Sequence, residues 1–151
     1  MKKSERIHSM VQSLGSHESD LDPCYAGWFT CFNRGDYYEA HDVLEHLWLQ
    51  TKGANYGFYK GLIQLAGAFV HLKKQHARPW HAKDRARLRP ASRLFQLARH
   101  NLSPFAPVHL RLDVAAVVSL CDAHIAQLAR SEFQQNPWEP DRRPSIELLN
   151  R

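Results

Sequence analysis

Five polar side chains near the middle of the chain have types and spacings that could support chemistry. His41 and Glu45 are four residues apart, so a helix would place an imidazole and a carboxylate on one face. Such a pair can bind a divalent metal or transfer a proton. Gln64 and His71 would share a face of the next helix. Together with one further carboxylate they form what we call the polar cluster: Glu39, His41, Glu45, Gln64 and His71.

Two helices must position the polar cluster. The first is predicted over residues 36–50, where Asp36 as N-cap and Glu39 three residues later form a capping box. The second, over residues 55–74, is apolar nearly all round, which is typical of a buried central helix. The short turn around Gly53 makes the two helices antiparallel neighbours. The apolar face of the first helix consists of Ala40, Val43, Leu44, Leu47 and Trp48.

The register of this hairpin predicts which cluster residues meet. Glu45 comes opposite Gln64, while Glu39 and His41 approach His71. Buried polar groups need hydrogen-bond partners, and a satisfied network fixes the register of two helices. We therefore expect a structural polar network in a binding or regulatory domain.

Two chemical alternatives stay open for the polar cluster. In one, His41, Glu45 and His71 hold a divalent metal. In the other, His41 and Glu45 act as the catalytic acid–base pair of a hydrolase-like enzyme. Gln64 and His71 lie about 10.5 Å apart along one helix, so both cannot bind a single ion. The sequence also lacks an HExxH motif, and the small molecule that such a site would bind is unknown.

The whole chain is predicted to form an all-α, single-domain bundle of about five helices, with this antiparallel hairpin at its centre. Residues 1–20 are polar without a sustained period, which predicts a flexible N-terminal arm. The helical domain is expected over residues 21–131, with a basic loop at 75–89. Residues 132–151 contain several prolines, which predicts an extended C-terminal tail. No segment shows a strand pattern.

The helix boundaries outside the hairpin also have local signals. Asp22 followed by Pro23 predicts the start of a helix that ends at Gly35. Asp113 is a candidate N-cap for a later helix.

The net charge of +5 is distributed unevenly along the chain. Residues 73–99 are strongly basic, so phosphate or nucleic-acid binding through this segment is a second alternative function, with Arg85, Arg87 and Arg89 as candidate anion-binding residues. Because no helix-turn-helix or zinc-finger signature accompanies them, we do not expect nucleic acid as a partner. A solvated basic face, or a contact with the acidic half of a second copy in a homo-oligomer, explains the charge more simply.

Cysteine content and hydropathy point to the cytoplasm. Three cysteines without a CxxC pair make neither a disulfide framework nor a zinc finger. The N-terminus has no apolar run of the length of a signal peptide. The most apolar stretch, residues 61–72, is shorter than the about 20 residues that span a bilayer. We expect a soluble, cytoplasmic protein without a membrane partner.

The hairpin motifs FNRGDYYEAHDVLEHLW and GLIQLAGAFVHL resemble the family called domain of unknown function 309. These are small all-helical proteins of bacteria and archaea. The resemblance covers about residues 21–128, with residues 75–89 as an apparent insertion. It implies the fold and the polar cluster and no established activity. It rests on Phe32, Gly35, Tyr38, Glu39, Ala40, His41, Asp42, Leu44, Glu45, Trp48, Gly61, Leu62, Gln64, Ala66 and His71.

Overall fold

The computed structural model describes residues 2–14 and 20–150. Within these ranges the fold is all-α, as predicted, and none of the described helices has the length and apolar character to cross a membrane. The helices are α1 (Lys3–Leu14), α2 (Pro23–Asn33), α3 (Tyr37–Trp48), α4 (Tyr56–Ala77), α5 (Leu88–Leu102) and α6 (Val114–Arg130). Short 3-10 helices lie at Asp84–Arg87, Ser103–Phe105 and Pro140–Arg142.

Local signals set the limits of α2 and α3. The Asp22 carboxylate accepts a hydrogen bond from the backbone N–H of Cys24 at 2.8 Å, so the predicted N-cap is confirmed. Gly35 has a φ of +81°, as expected of the residue after a helix. Asp36 occupies the N-cap position of α3, but its side chain makes no capping hydrogen bond. The predicted capping box with Glu39 is therefore wrong.

The helix α4 lies at the centre of the fold, with α3 on one side and α5 on another. Its side chains Leu62, Leu65 and Phe69 are completely buried. The ring of Phe69 contacts aromatic rings from several elements, which ties the surrounding helices to α4. These rings belong to Phe32, Tyr37, Phe95 and His124.

Two glycines let α5 approach α4 closely. A Cβ atom on Gly61 would lie 2.7 Å from Cγ of Leu102 and 3.3 Å from Cβ of Asn101. One on Gly67 would lie 3.2 Å from Cδ1 of Leu94. Side chains of α5 thus occupy the space that a side chain on α4 would need, and α5 packs directly on the backbone of α4.

The N-terminal segment differs from the expected arm because it contains α1. Ile7, Met10, Val11 and Leu14 follow the i, i+3, i+4, i+7 spacing of an amphipathic helix. Ile7 is 1% exposed, and the other three pack against the core. Part of the segment predicted to be flexible, residues 1 and 15–19, lies outside the described residues.

A small antiparallel hairpin also departs from the expectation of no strands. β1 (Val108–His109) pairs with β2 (Leu112–Asp113), and strands of two residues are too short to give a periodic signal. Leu110 and Arg111 form the turn with positive φ angles of 45° and 62°. The hydroxyl of Tyr25 donates to the Leu110 carbonyl at 3.0 Å and fastens the turn to α2. Asp113 caps α6, as predicted, by accepting from the backbone N–H of Ala116.

The C-terminal tail lies along the bundle. Trp138 is buried, and its indole N–H donates to the hydroxyl of Tyr37 at 2.8 Å. Further along, the Asn33 side chain exchanges two hydrogen bonds with the backbone of Ile146, at 2.8 and 3.0 Å. The tail is therefore part of the packed structure, whereas the boundaries at residues 21 and 131 stay predictions.

The close contact between α4 and α5 leads to a prediction for two alanine variants. Gly61→Ala forces a new methyl group against Leu102, and overpacking of this kind costs about 1–3 kcal/mol. Gly57→Ala meets its nearest neighbour, Phe105, at an ordinary 3.9 Å. Both variants gain about 1 kcal/mol of helix propensity. In urea unfolding, we expect Gly61→Ala to be less stable than Gly57→Ala by about 1–3 kcal/mol.

Equal unfolding free energies for the two variants would contradict the close approach at Gly61. Because both changes replace glycine by alanine in the same helix, the comparison cancels the propensity term.

Candidate functional site

The polar cluster is divided between two faces of the hairpin. Glu45 contacts Lys3 of α1, and His41 lies beside Glu45 on α3. Gln64 and His71 lie on the part of α4 that contacts α5 and the 3-10 helix before it. No hydrogen bond or ion pair between described residues joins one group to the other, so the predicted pairings between α3 and α4 are wrong.

On α3, the cluster residues His41 and Glu45 are joined by Asp42. One ring nitrogen of His41, Nδ1, lies 3.2 Å from Oδ1 of Asp42, and Nε2 lies 3.8 Å from Oε2 of Glu45. One ligand atom from each of these residues lies within 4.8 Å of the other two. We call these three residues the α3 triad. Glu39 is exposed and lies outside it.

Two cations of α1 face the α3 triad. Nζ of Lys3 lies 3.0 Å from Oε1 of Glu45 and 3.8 Å from Oδ1 of Asp42. Nη2 of Arg6 lies 3.8 Å from Oδ2 of Asp42. The hydrogen bond to Glu45 raises the pKa of Lys3 above its ordinary value. Asp42 is 7% exposed, so these contacts balance a carboxylate that has lost most of its water.

A cavity of about 220 Å³ lies beside Glu45, between α1 and α3. Its remaining lining residues are Lys3, Ser4, Ile7, His46 and Leu49. His41 does not line it, so the cavity does not place a substrate between His41 and Glu45. The arrangement is better suited to holding a cation than to acid–base catalysis.

Gln64 has a partner on α5 in place of the predicted Glu45. Its Oε1 accepts a hydrogen bond of 2.7 Å from the side-chain amide of Asn101. Gly61 and Gly67 lie within about 60° of Gln64 around the helix axis. Glycines in a buried helix mark the face that a neighbouring helix approaches. The positions of Gly61 and Gly67 in the sequence therefore indicate that Gln64 also faces a neighbouring helix, which is α5.

His71 lies among cations and is therefore a poor metal ligand. Its Nδ1 is 3.1 Å from Nη1 of Arg87, and a guanidinium can only donate, so the ring accepts there and is neutral. Nε of Arg87 also lies 2.6 Å from Asp84. Burial lowers the pKa of His71, and the charges of Arg87, Lys74 and Arg93 lower it further. Of the predicted metal ligands, His41 and Glu45 come together and His71 does not join them.

The three candidate anion-binding arginines do not converge. Arg85 is exposed, and Arg87 is held by Asp84 with 14% of its side chain exposed. The guanidinium of Arg89 lies over the ring of Phe133, 4.2 Å from its centroid. Arg87 and Arg89 thus already have partners, and anion binding by the three arginines stays a prediction.

Comparison with known families agrees with the resemblance of the hairpin motifs to domain of unknown function 309. Residues 27–82 match the model of a family described as "Domain of unknown function (DUF309)", which confirms the predicted family for that part of the chain. The match begins within α2, includes the α3 triad, Gln64 and His71, and ends before α5. Neither the curated proteins nor the solved structures gave a match.

The environment of His71 predicts that acid destabilises the protein. A histidine whose pKa is lowered by folding binds protons more readily in the unfolded chain. Its contribution to stability is present above the unfolded pKa of about 6.5 and is lost as the pH falls toward the folded value. We expect the free energy of unfolding to decrease between pH 7.5 and 5, and His71→Gln to reduce that decrease.

The matched control for this prediction is His8→Gln, which changes an exposed histidine on α1. Chemical denaturation at each pH measures the slope. A slope that His71→Gln and His8→Gln alter equally would contradict a special role for His71.

Proposed function

We propose that this protein is a regulatory binding domain in which the α3 triad binds a divalent cation in competition with Lys3. The observation that carries the proposal is the convergence of three ligand atoms within 4.8 Å, with the Lys3 ammonium 3.0 Å from Glu45. The ammonium lies where a cation attracted by the triad would be expected.

The donor set of the triad suits a transition metal. One imidazole nitrogen and two carboxylate oxygens are ligands that Zn²⁺, Mn²⁺ and Fe²⁺ accept. Three protein ligands leave further coordination positions for water or a small ligand. Asp42 thereby takes the place that the sequence assigned to His71.

The competition with Lys3 follows from charge. Two carboxylates close together repel each other, and the α1 cations offset that repulsion. A dication between His41, Asp42 and Glu45 supplies two positive charges and repels the ammonium of Lys3. The first turn of α1 then loses its contact with α3, and the cavity that Lys3 and Ser4 line becomes wider.

The free energies of the contacts that hold α1 limit the structural response to the start of that helix. An exposed ion pair such as Lys3–Glu45 contributes about 0–1 kcal/mol. Burial of an aliphatic side chain such as Ile7 contributes about 1.5–3 kcal/mol. Ile7, with its partly buried neighbours, therefore keeps α1 in place while the cation releases the residues before it.

We propose the cytoplasm as the compartment. Cys24, Cys31 and Cys121 are free thiols, and burial raises the pKa of Cys31 to about 11. Unreacted thiols fit a reducing environment.

The proposed competition predicts opposite effects for two variants. Calorimetric titration with Zn²⁺ and Mn²⁺ should give one site per chain. Glu45→Gln removes a charged ligand and should weaken binding at least tenfold. Lys3→Gln removes the competitor and should tighten binding about two- to fivefold, as expected from an ion pair of less than about 1 kcal/mol.

Glu39→Gln is the control, because it neutralises an exposed carboxylate of the same helix outside the triad. Thermal unfolding of each variant without metal checks the fold. Absence of metal binding by the unmodified protein, or equal affinities for Lys3→Gln and the unmodified protein, would overturn the proposal.

A further inference from the structure

A second concave surface lies where α4 ends, far along the chain from the α3 triad. The cavity has a volume of about 320 Å³ and opens to solvent beside the 3-10 helix Asp84–Arg87. We call it the basic pocket, and its lining residues are Lys74, Ala77, Arg78, His81, Lys83, Asp84 and Arg87.

The charges of the basic pocket are not balanced. Asp84 is its one carboxylate, and the hydrogen bond from Arg87 holds the pKa of Asp84 below its usual range. Arg78 lies 3.7 Å from the same carboxylate. Lys74 and Lys83 make no ion pair with any residue in the described ranges. Their two ammonium groups are therefore available to an anion.

The state of His71 supports a positive potential beside this pocket, because Arg87 both contacts His71 and lines the pocket. Besides burial, the charges of Arg87 and Lys74 lower its pKa, and both of these residues line the pocket. The field that disfavours a proton on His71 favours a bound anion.

An exposed aromatic ring stands next to the pocket along the chain. Trp80 is 73% exposed and lies between two lining residues, Arg78 and His81. An indole in water offers a flat apolar surface on which another ring can stack. The combination of unpaired cations with an adjacent exposed indole suits a ligand that carries both a phosphate and an aromatic base.

We propose that the basic pocket binds the phosphate of a mononucleotide whose base stacks on Trp80. Lys83, Lys74 and Arg78 supply charge-assisted hydrogen bonds to the phosphate oxygens. The volume is at the lower end of the range of about 300–1,000 Å³ for small-molecule sites, so the phosphate and sugar enter and the base lies outside. This site is separate from the metal proposal and does not rest on it.

Calorimetric titration with adenosine monophosphate, inorganic phosphate and adenosine tests phosphate binding in the pocket and base stacking on Trp80 separately. We expect the nucleotide to bind more tightly than either fragment. Lys83→Glu should weaken nucleotide and phosphate binding alike, by tenfold or more, because it replaces a cation with an anion. Trp80→Ala should weaken nucleotide binding by about tenfold and leave phosphate binding unchanged.

The matched controls are Lys52→Glu and Tyr38→Ala, which make comparable changes at exposed positions outside the pocket. These substitutions are at the surface, and circular dichroism verifies the fold of each variant.

Absence of nucleotide binding at millimolar concentration overturns the proposal, as does a nucleotide affinity that Lys83→Glu leaves unchanged. Equal nucleotide affinities for Trp80→Ala and Tyr38→Ala refute stacking on Trp80. A single-stranded oligonucleotide that binds far more tightly than the mononucleotide overturns the assignment to a small ligand.

Discussion

The position of α4 at the centre of the fold constrains every element around it. A polar side chain on a buried helix has little access to water, and a buried polar group without a partner costs about 1–3 kcal/mol. Gln64 and His71 are both partly buried on α4. The elements that cover them must therefore supply Asn101 and Arg87. These two partners come from opposite ends of the segment that contains α5, so they fix both its direction and its register against α4.

The helices could largely be predicted because their signals are local. Asp22 and Asp113 cap the helices that follow them, and Gly35 adopts the conformation that glycine favours after a helix. The antiparallel pairing of α3 and α4 follows from the short turn between them. The predicted partner of Gln64 is wrong, because the prediction assumes that the face of α4 carrying Gln64 contacts α3. Gly61 lies on the same face and identifies it as the surface that α5 approaches.

The α3 triad could be predicted only in part, because spacing within one helix is visible in the sequence and contacts with distant segments are not. His41 and Glu45 are related by helix spacing and could be paired from the sequence. Asp42 is not part of the polar cluster predicted from the sequence, whereas the structure buries it next to α1. The omission follows from the missed α1 helix, because α1 supplies Lys3 and Arg6, which contact the carboxylate of Asp42. Lys3 is 42 residues from Glu45, and no local pattern connects residues so far apart.

The distribution of packing determines where a ligand can change the structure. Gly61 leaves no free space between α4 and α5, so the central pair can shift only at the cost of overpacking. At the α3 triad, Lys3 is held mainly by an exposed ion pair, which is weak enough for a dication to replace. At the basic pocket, the exposed Trp80 lies in a turn outside the packed core. Ligands at either site would therefore act on the first turn of α1 or on the turn after α4, while the hairpin between them keeps its geometry.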